Sequence, residues 1–436
     1  MKCHIVVREY ARLSVGAPGP KAIPSLDHAC VSASAFAYFC KLMATFKKNG
    51  AVLFQLENQT CLKLDNYVGI LSTPCGTVIE ILPKHTEDTS GAARDTSRQI
   101  LIKMLSVALE LPARTATQAA LACWQLPLQE WVMQQFVLEL ASLTRRGLRF
   151  DYRIEESEQR FLRGQLDVAK QMRQPPARRH MFALRHDVFL PDNAENRLLK
   201  SALLIVCSYT RHSTTWRDAH ELAGLFASIP ACANVAQDMR SWRNTRLMSH
   251  YRAVRPWCEL VLGQQMPVAL SGVTQGLSLL FPMERLFERY VEHHLQARMI
   301  GTGYHIKRQA ASQYLCKLGK RAMFLLKPDM LLKKGEKVCM VLDAKWKLLS
   351  SQAQSNKYGL QQSDFYQMFA YGHKYLSGMG EMMLIYPKTT AFAGKLDRFE
   401  YAPDLGLWAV GFDLERDEIE FPPACTLLDQ LKPYYA

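Results

Sequence analysis

Phe324-Leu-Leu-Lys-Pro-Asp329-Met-Leu-Leu-Lys-Lys-Gly335-Glu-Lys-Val-Cys-Met-Val-Leu-Asp343-Ala-Lys345-Trp-Lys347 is the stretch from which the rest of the chain can be read. Two short apolar runs flank a polar, glycine-containing tip, Lys333–Lys337, which is the pattern of a β-hairpin. Side chains alternate faces along a strand, so Asp343 and Lys345 project to one side, and Asp329 can face them across the pair. Carboxylates this close repel one another and stay partly protonated unless a cation sits between them. Mg²⁺, with Mn²⁺ as an alternative, suits such a site because it takes one or two carboxylates together with waters and phosphate oxygens. The ion would polarise a phosphate and acidify a bound water, while Lys345 positions that water or offsets developing charge. Taken singly, Pro-Asp is an ordinary turn and Asp-x-Lys a surface pair. Pro191-Asp192 recurs with no acid-x-Lys behind it. The joint pattern points to Asp329, Asp343 and Lys345 as a catalytic set for cutting a phosphodiester, with Asp329 and Asp343 as metal ligands.

Two helical patterns flank the hairpin. Pro282 to Leu295 places Leu286, Phe287, Tyr290, Val291 and Leu295 at helical spacing, with Pro282 at a first helical position. Glu284 and Glu288 share a face there. Glu288 is a candidate third metal ligand, or else part of a solvated acidic face. Downstream, Asp364, Gln367 and Tyr371 fall on one helical stripe. Gln367 and Tyr371 could bond a DNA phosphate or brace the lysine, while Met368, Phe369 and Tyr375 read as core.

The chain has 436 residues, room for two or three domains. A β-rich N-terminal domain is expected over 1–115, with strands at Ile5–Tyr10, Val52–Leu56, Cys61–Leu64, Val68–Leu71 and Thr77–Leu82. Helices are expected at Ser34–Phe46 and Arg98–Leu111, the latter after an exposed loop, His85–Asp95. A mainly helical middle region is expected over 116–270, with strands near Leu148–Ile154 and Gln159–Asp167. Over 271–436 the order is helix, hairpin, helix (Asp364–Leu376), strand (Met382–Tyr386) and a β-rich end. That predicts a multidomain α+β or mixed α/β protein whose C-terminal core is a central mixed sheet flanked by helices.

The formal charge of +14 favours a polyanionic partner. Ten arginines fall between Arg145 and Arg185. A DNA track, contact with an acidic partner, or solvated loops interrupted by Glu155, Glu156 and Glu158 would each explain them. Among the 12 cysteines there is no Cys-x-x-Cys pair, which argues against a zinc ribbon or redox motif. Cys207, Cys316 and Cys339 are expected to be buried thiols. No Gly-x-x-x-x-Gly-Lys-Ser/Thr loop occurs, so nucleotide hydrolysis is not expected of this chain. No apolar run reaches a membrane span, and the N-terminus lacks a signal-peptide core, so a cytoplasmic location and no membrane partner are expected.

The order helix-Glu, Pro-Asp, Asp-x-Lys, Gln-x-x-x-Tyr resembles the PD-(D/E)xK nuclease superfamily. Further segments resemble the McrC family, the nuclease subunits of McrBC-type restriction systems: Val7-Arg-Glu9-Tyr10, Asn66-Tyr-Val-Gly69, Gly76-Thr-Val-Ile-Glu80, Leu162-Arg-Gly164, Asn196-Arg-Leu-Leu-Lys200 and Asp364-Phe-Tyr-Gln-Met-Phe-Ala-Tyr371. The resemblance implies a C-terminal Mg²⁺-dependent endonuclease core with Asp329 and Asp343 as metal ligands, Lys345 as catalytic lysine and Glu288 as a further acid. It also implies an N-terminal region that docks on an McrB-like AAA+ GTPase ring and stimulates it, and a double-stranded DNA substrate carrying modified cytosine. A stand-alone nuclease of the superfamily, or a non-catalytic activator of an AAA+ ring, is the alternative.

Overall fold

A computed structural model describes residues 4–16, 25–48, 52–86, 88, 90–111, 126–243, 245–263, 278–392, 394–419 and 421. They divide into two compact units, one made of residues 1–128 with 266–436 and the other of 129–265.

The hairpin expected from the sequence is the middle of the first unit's largest sheet. Strands Met330–Lys334 and Lys337–Ala344 pair antiparallel through a two-residue turn in which Gly335 takes a positive φ of 58°. Hairpin turns this tight need that conformation, and glycine adopts it without steric cost. The seven-stranded sheet then runs Tyr304–Arg308, Met330–Lys334, Lys337–Ala344, Gly380–Pro387, Leu405–Asp413, Phe399–Ala402, with Glu418–Ile419 also on Leu405–Asp413. The two central junctions, from Lys337–Ala344 to Gly380–Pro387 and on to Leu405–Asp413, are parallel, and these strands are buried almost throughout. Helices on both faces account for that, since a sheet covered on both sides has no polar face to alternate.

Odd-numbered residues of the hairpin strands, Leu331 and Val341, pack with Met368 and Tyr371 of helix Gln362–Tyr375 in one core. Gly372 permits the close approach: a Cβ there would lie 2.9 Å from Met382 Sδ and 3.0 Å from Leu405 Cδ1. Helix Met283–Met299 sits near the same sheet, its Phe287 ring 5.3 Å from that of Trp346 and 6.3 Å from that of Phe412. Its own partner is helix Gly91–Ala108, to which Arg289 Nη1 donates at Ala108 O, 2.7 Å. Pro282 precedes this helix rather than opening it, because it is still paired to Tyr67 as the last residue of strand Leu279–Pro282.

Two four-stranded sheets complete the unit. One has the order His4–Arg8, Val78–Leu82, Tyr67–Ser72, Leu279–Pro282; the other runs His28–Val31, Arg12–Val15, Cys61–Leu64, Phe54–Asn58. They share one core with helix Ala33–Lys48, through Val7, Leu13, Phe36, Phe39, Leu62, Leu71 and Ile81. Helix Gly91–Ala108 begins seven residues before the expected Arg98. Ser90 caps it by accepting from the Ala93 amide, so part of the expected His85–Asp95 loop is helix; positions 87 and 89 lie outside the described residues.

In the second unit, helices Leu128–Arg146 and Ala194–Tyr209 fall in the region expected to be mainly helical, and Trp131 meets Trp257 edge-to-face at 5.1 Å. The expected strand at Gln159–Asp167 is a correction. Nine-residue strands Asp151–Gln159 and Phe182–Leu190 pair antiparallel, and of the expected span only its first residue, Gln159, and Gln165–Leu166 are strand. The thiols need correcting too. Cys316 is exposed and Cys207 and Cys339 are half-buried, while Cys61 and Cys258 are buried. Phe369, read as core, is 44% exposed. No described helix is long and apolar enough to cross a membrane.

Candidate active site

The hairpin register brings the two acids together. Met330 pairs with Leu342 and Leu331 with Val341, so one step further Asp329 stands opposite Asp343. Asp329 Oδ2 accepts from the Ala344 amide at 2.9 Å, and the Asp329 carbonyl accepts from the Gln309 amide at 2.8 Å. Asp343 is fully buried. Its Oδ2 lies 2.7 Å from Lys345 Nζ, yet both of its carboxylate oxygens lack a well-aligned hydrogen bond. The contact is charge to charge, and one buried carboxylate keeps acceptor capacity to spare.

Lys345 is held from both ends. Its amide donates to Ile385 O at 2.8 Å, and its Nζ donates to Gln367 Oε1 at 3.3 Å. Gln367 Nε2 donates to the Tyr371 hydroxyl at 2.7 Å, and that hydroxyl donates to Lys327 O at 3.0 Å. The Gln-x-x-x-Tyr stripe therefore braces the lysine and the segment leading into Pro328-Asp329. Lys347 is diverted to Asp364 Oδ2 at 2.9 Å and Gln361 Oε1 at 2.7 Å. Glu288 stands to one side, accepting from Gln309 Nε2 at 3.3 Å.

Protonation follows from this crowding. Burial, then the charges of Asp343 and Glu288, push the Asp329 carboxyl up to about 8. Burial raises Asp343 as well, against the opposing pull of Lys345. For Lys345, burial favours the neutral amine, but Asp343, with Asp329 and Asp364 behind it, outweighs this and holds the ammonium above its ordinary range. Tyr371 is pushed up to about 12, chiefly by burial.

A cation would favour the ionised form of both carboxylates, and the two Asp343 oxygens are open as acceptors, which fits a hard divalent ion. Among the described residues no group of three or more His, Cys, Asp or Glu side chains gathers closely enough to enclose a metal by itself. Asp329 and Asp343 are thus the pair that could hold Mg²⁺ or Mn²⁺, the remaining positions falling to water and phosphate oxygens.

Sequence reading missed two contacts. One is the Lys347–Asp364 ion pair. The other is Trp346 Nε1 donating to Glu9 Oε1 at 2.6 Å, with the Lys84 amide donating to the same oxygen at 2.7 Å. Glu9 is fully buried, and its Oε2 has no partner. Neighbouring residues on a strand give no signal of a contact 337 positions away. In the second unit, the arginine run is partly paired within itself: Arg149 with Asp151 at 2.7 Å, Arg153 with Asp192 at 3.2 Å and Arg178 with Glu158 at 3.8 Å.

The family model described as McrBC 5-methylcytosine restriction system component matches residues 62–387. No curated protein matches the chain. Among solved structures, a chain of the refined half-complex from the tetradecameric assembly of Thermococcus gammatolerans McrB AAA+ hexamers with bound McrC is similar at TM-score 0.69 and 20% identity, over 96% of each chain. A chain of the Thermococcus gammatolerans McrBC complex is similar at TM-score 0.52 and 21% identity, over 68% of this chain and 88% of that one. These likenesses concern the fold, whereas the family match runs through both units and the hairpin with its acids and lysine: the chain belongs to the family of McrBC 5-methylcytosine restriction system components.

Proposed function

We propose that this chain is the endonuclease subunit of a modification-dependent restriction complex, with a PD-(D/E)xK core in its C-terminal part and Mg²⁺ or Mn²⁺ as cofactor. The observation that carries the reading is the paired register that sets Asp329 against buried Asp343, with the Lys345 ammonium 2.7 Å from the latter. Asp329 and Asp343 would hold the ion, which would supply Lewis-acid polarisation of the scissile phosphate and a more acidic water. Lys345 holds a fixed positive charge where a pentacovalent phosphate gains negative charge, and Gln367 with Tyr371 keeps it aimed. The charge of +14 suits a duplex DNA substrate.

The partner is an McrB-like AAA+ GTPase ring, and the DNA carries modified cytosine. The family description and the McrB hexamers in the similar structures support both. The test is reconstitution with an McrB-like AAA+ protein, GTP, Mg²⁺ and duplexes with and without methylcytosine. Modified DNA should be cut only with partner and nucleotide. Asp343→Ala and Lys345→Ala should abolish cutting yet leave stimulation of GTP hydrolysis intact. Cleavage by either variant within a few-fold of wild type removes the site assignment, and efficient cutting of unmodified DNA without nucleotide favours a self-sufficient nuclease.

A further inference from the structure

From His293 to Pro328 the chain contains no acidic residue but has seven basic ones: Arg298, Lys307, Arg308, Lys317, Lys320, Arg321 and Lys327. The last four belong to or adjoin a two-stranded ribbon, Gln313–Leu318 with Arg321–Leu326, that takes no place in the seven-stranded sheet. Gly319, φ 58°, makes its turn. Strand Gln313–Leu318 is exposed along its length and Arg321–Leu326 in part, with Leu318 74% and Phe324 67% accessible, and Cys316 on the surface. Among the described residues, Lys317, Lys320, Arg321 and Lys327 form no ion pair, whereas Arg308 meets Glu292.

The base of this ribbon is fixed. The Tyr375 hydroxyl, with one proton to give, lies within hydrogen-bond reach of both Ala310 O and Leu326 O (3.0 Å) and accepts from the Ser312 amide at 3.4 Å, so one side chain sits against both roots. Tyr375 lies one helical turn from Tyr371, which bonds Lys327 O. A single helix thus anchors Lys345, through Gln367, and the ribbon that runs into Pro328-Asp329. Strands of six residues extend about 20 Å, the length of about six base pairs of a duplex. A two-stranded ribbon also fits the DNA major groove.

We infer that the Gln313–Leu326 ribbon is a DNA-holding arm that grips the duplex beside the scissile phosphate through Lys317, Lys320 and Arg321, with its apolar side chains lying against the groove. The occupant is duplex DNA, because the exposed charge is of one sign and lacks intramolecular acids. The inference rests on the nuclease reading above, but its test is a binding measurement that does not require cutting.

The experiment uses the full chain with its AAA+ partner, a slowly hydrolysed GTP analogue and fluorescent methylated duplex, comparing wild type with K317A/K320A/R321A across salt concentrations. The three residues are exposed and unpaired, so the variant should keep its thermal midpoint and its stimulation of GTP hydrolysis. Each lost phosphate contact removes about 0.9 from the slope of log affinity against log salt, so the slope should flatten by about 2 to 3 and affinity should fall roughly tenfold or more. A photo-crosslinker on Cys316 should label the duplex near the cut. Unchanged slope and affinity, with wild type still cutting, overturns the arm and leaves the nuclease reading standing. Loss of self-association in sedimentation without loss of DNA affinity also overturns it, marking the ribbon as a contact between copies of the chain.

Discussion

Glu9 offers a quantitative handle on how the first strand is tied to the segment that follows Asp343 and Lys345. Its carboxyl is fully buried, accepts from Trp346 Nε1 and the Lys84 amide, and is raised from 4.5 to about 7, chiefly by burial. Between those two values the native state holds a proton that the unfolded chain has lost. Stability is therefore fullest below about 4.5, falls as pH rises through about 7, and levels off above it. At about 1.4 kcal/mol per pH unit the loss across this window amounts to roughly 3 kcal/mol. Glu9→Gln keeps an acceptor for both donors and cannot ionise. Compared at about pH 5 and about pH 8.5, its thermal midpoint should gain on the wild type by on the order of 5 °C. Other titrating groups are common to both proteins and cancel in the difference. Glu9→Ala should instead be destabilised at both pH values, because two buried N–H groups lose their acceptor at about 1 to 3 kcal/mol each. If Glu9→Gln and wild type run parallel over the whole range, the carboxyl ionises freely and the burial argument is wrong.

Gly69→Ala should lower the thermal midpoint by several degrees. Gly69 has φ 128°, and an added Cβ would stand 2.0 Å from Leu279 O, prising strand Leu279–Pro282 from Tyr67–Ser72. An unfolding midpoint within a degree of wild type would count against the pairing. Mg²⁺ or Mn²⁺ should stabilise the wild type, by about 2.7 kcal/mol at a hundredfold excess over Kd, and Asp343→Asn should remove the response. Because Asp329 binds its proton up to about 8 when no ion is present, the metal response should strengthen from about pH 6 to about pH 9 as proton and metal compete less. A metal-induced shift that survives Asp343→Asn places the ion elsewhere.

The local parts of the fold were legible because they rest on periodicity. Hairpin Met330–Ala344, helix Gln362–Tyr375 and strand Gly380–Pro387 follow the apolar patterns within a residue or two. Asp329 and Asp343 were brought together by a two-residue turn, which fixes register over a short distance. Pairings across long separations were not legible. Nothing near Leu279 announces that it pairs with Ile70, and nothing near Glu9 announces Trp346. The exposed Cys316 shows a different failure. Its apolar context suggested burial, but the ribbon of Gln313–Leu318 and Arg321–Leu326 on which it stands leaves it exposed. Apolar pattern reports strand formation; it does not report whether another layer covers the strand.

The charge state of Lys345 narrows what it can contribute. Burial alone favours loss of its proton, and only the surrounding acids reverse that, with Asp343 at 2.7 Å foremost. An ammonium so held has no lone pair and cannot take a proton from water. Tyr371 is no better as a base, being pushed up to about 12 and already donating to Lys327 O. In the proposed reaction the lysine therefore acts through position and charge, and position depends on which lysine attends Asp343. Lys347, two residues on and facing the same side of the chain, is the natural competitor. Asp364 and Gln361 bind its ammonium at 2.9 and 2.7 Å, which leaves Asp343 to Lys345. On this argument Asp364, read in the sequence only as a companion to Gln367, acts as a positioning residue by keeping the second ammonium away from the first aspartate.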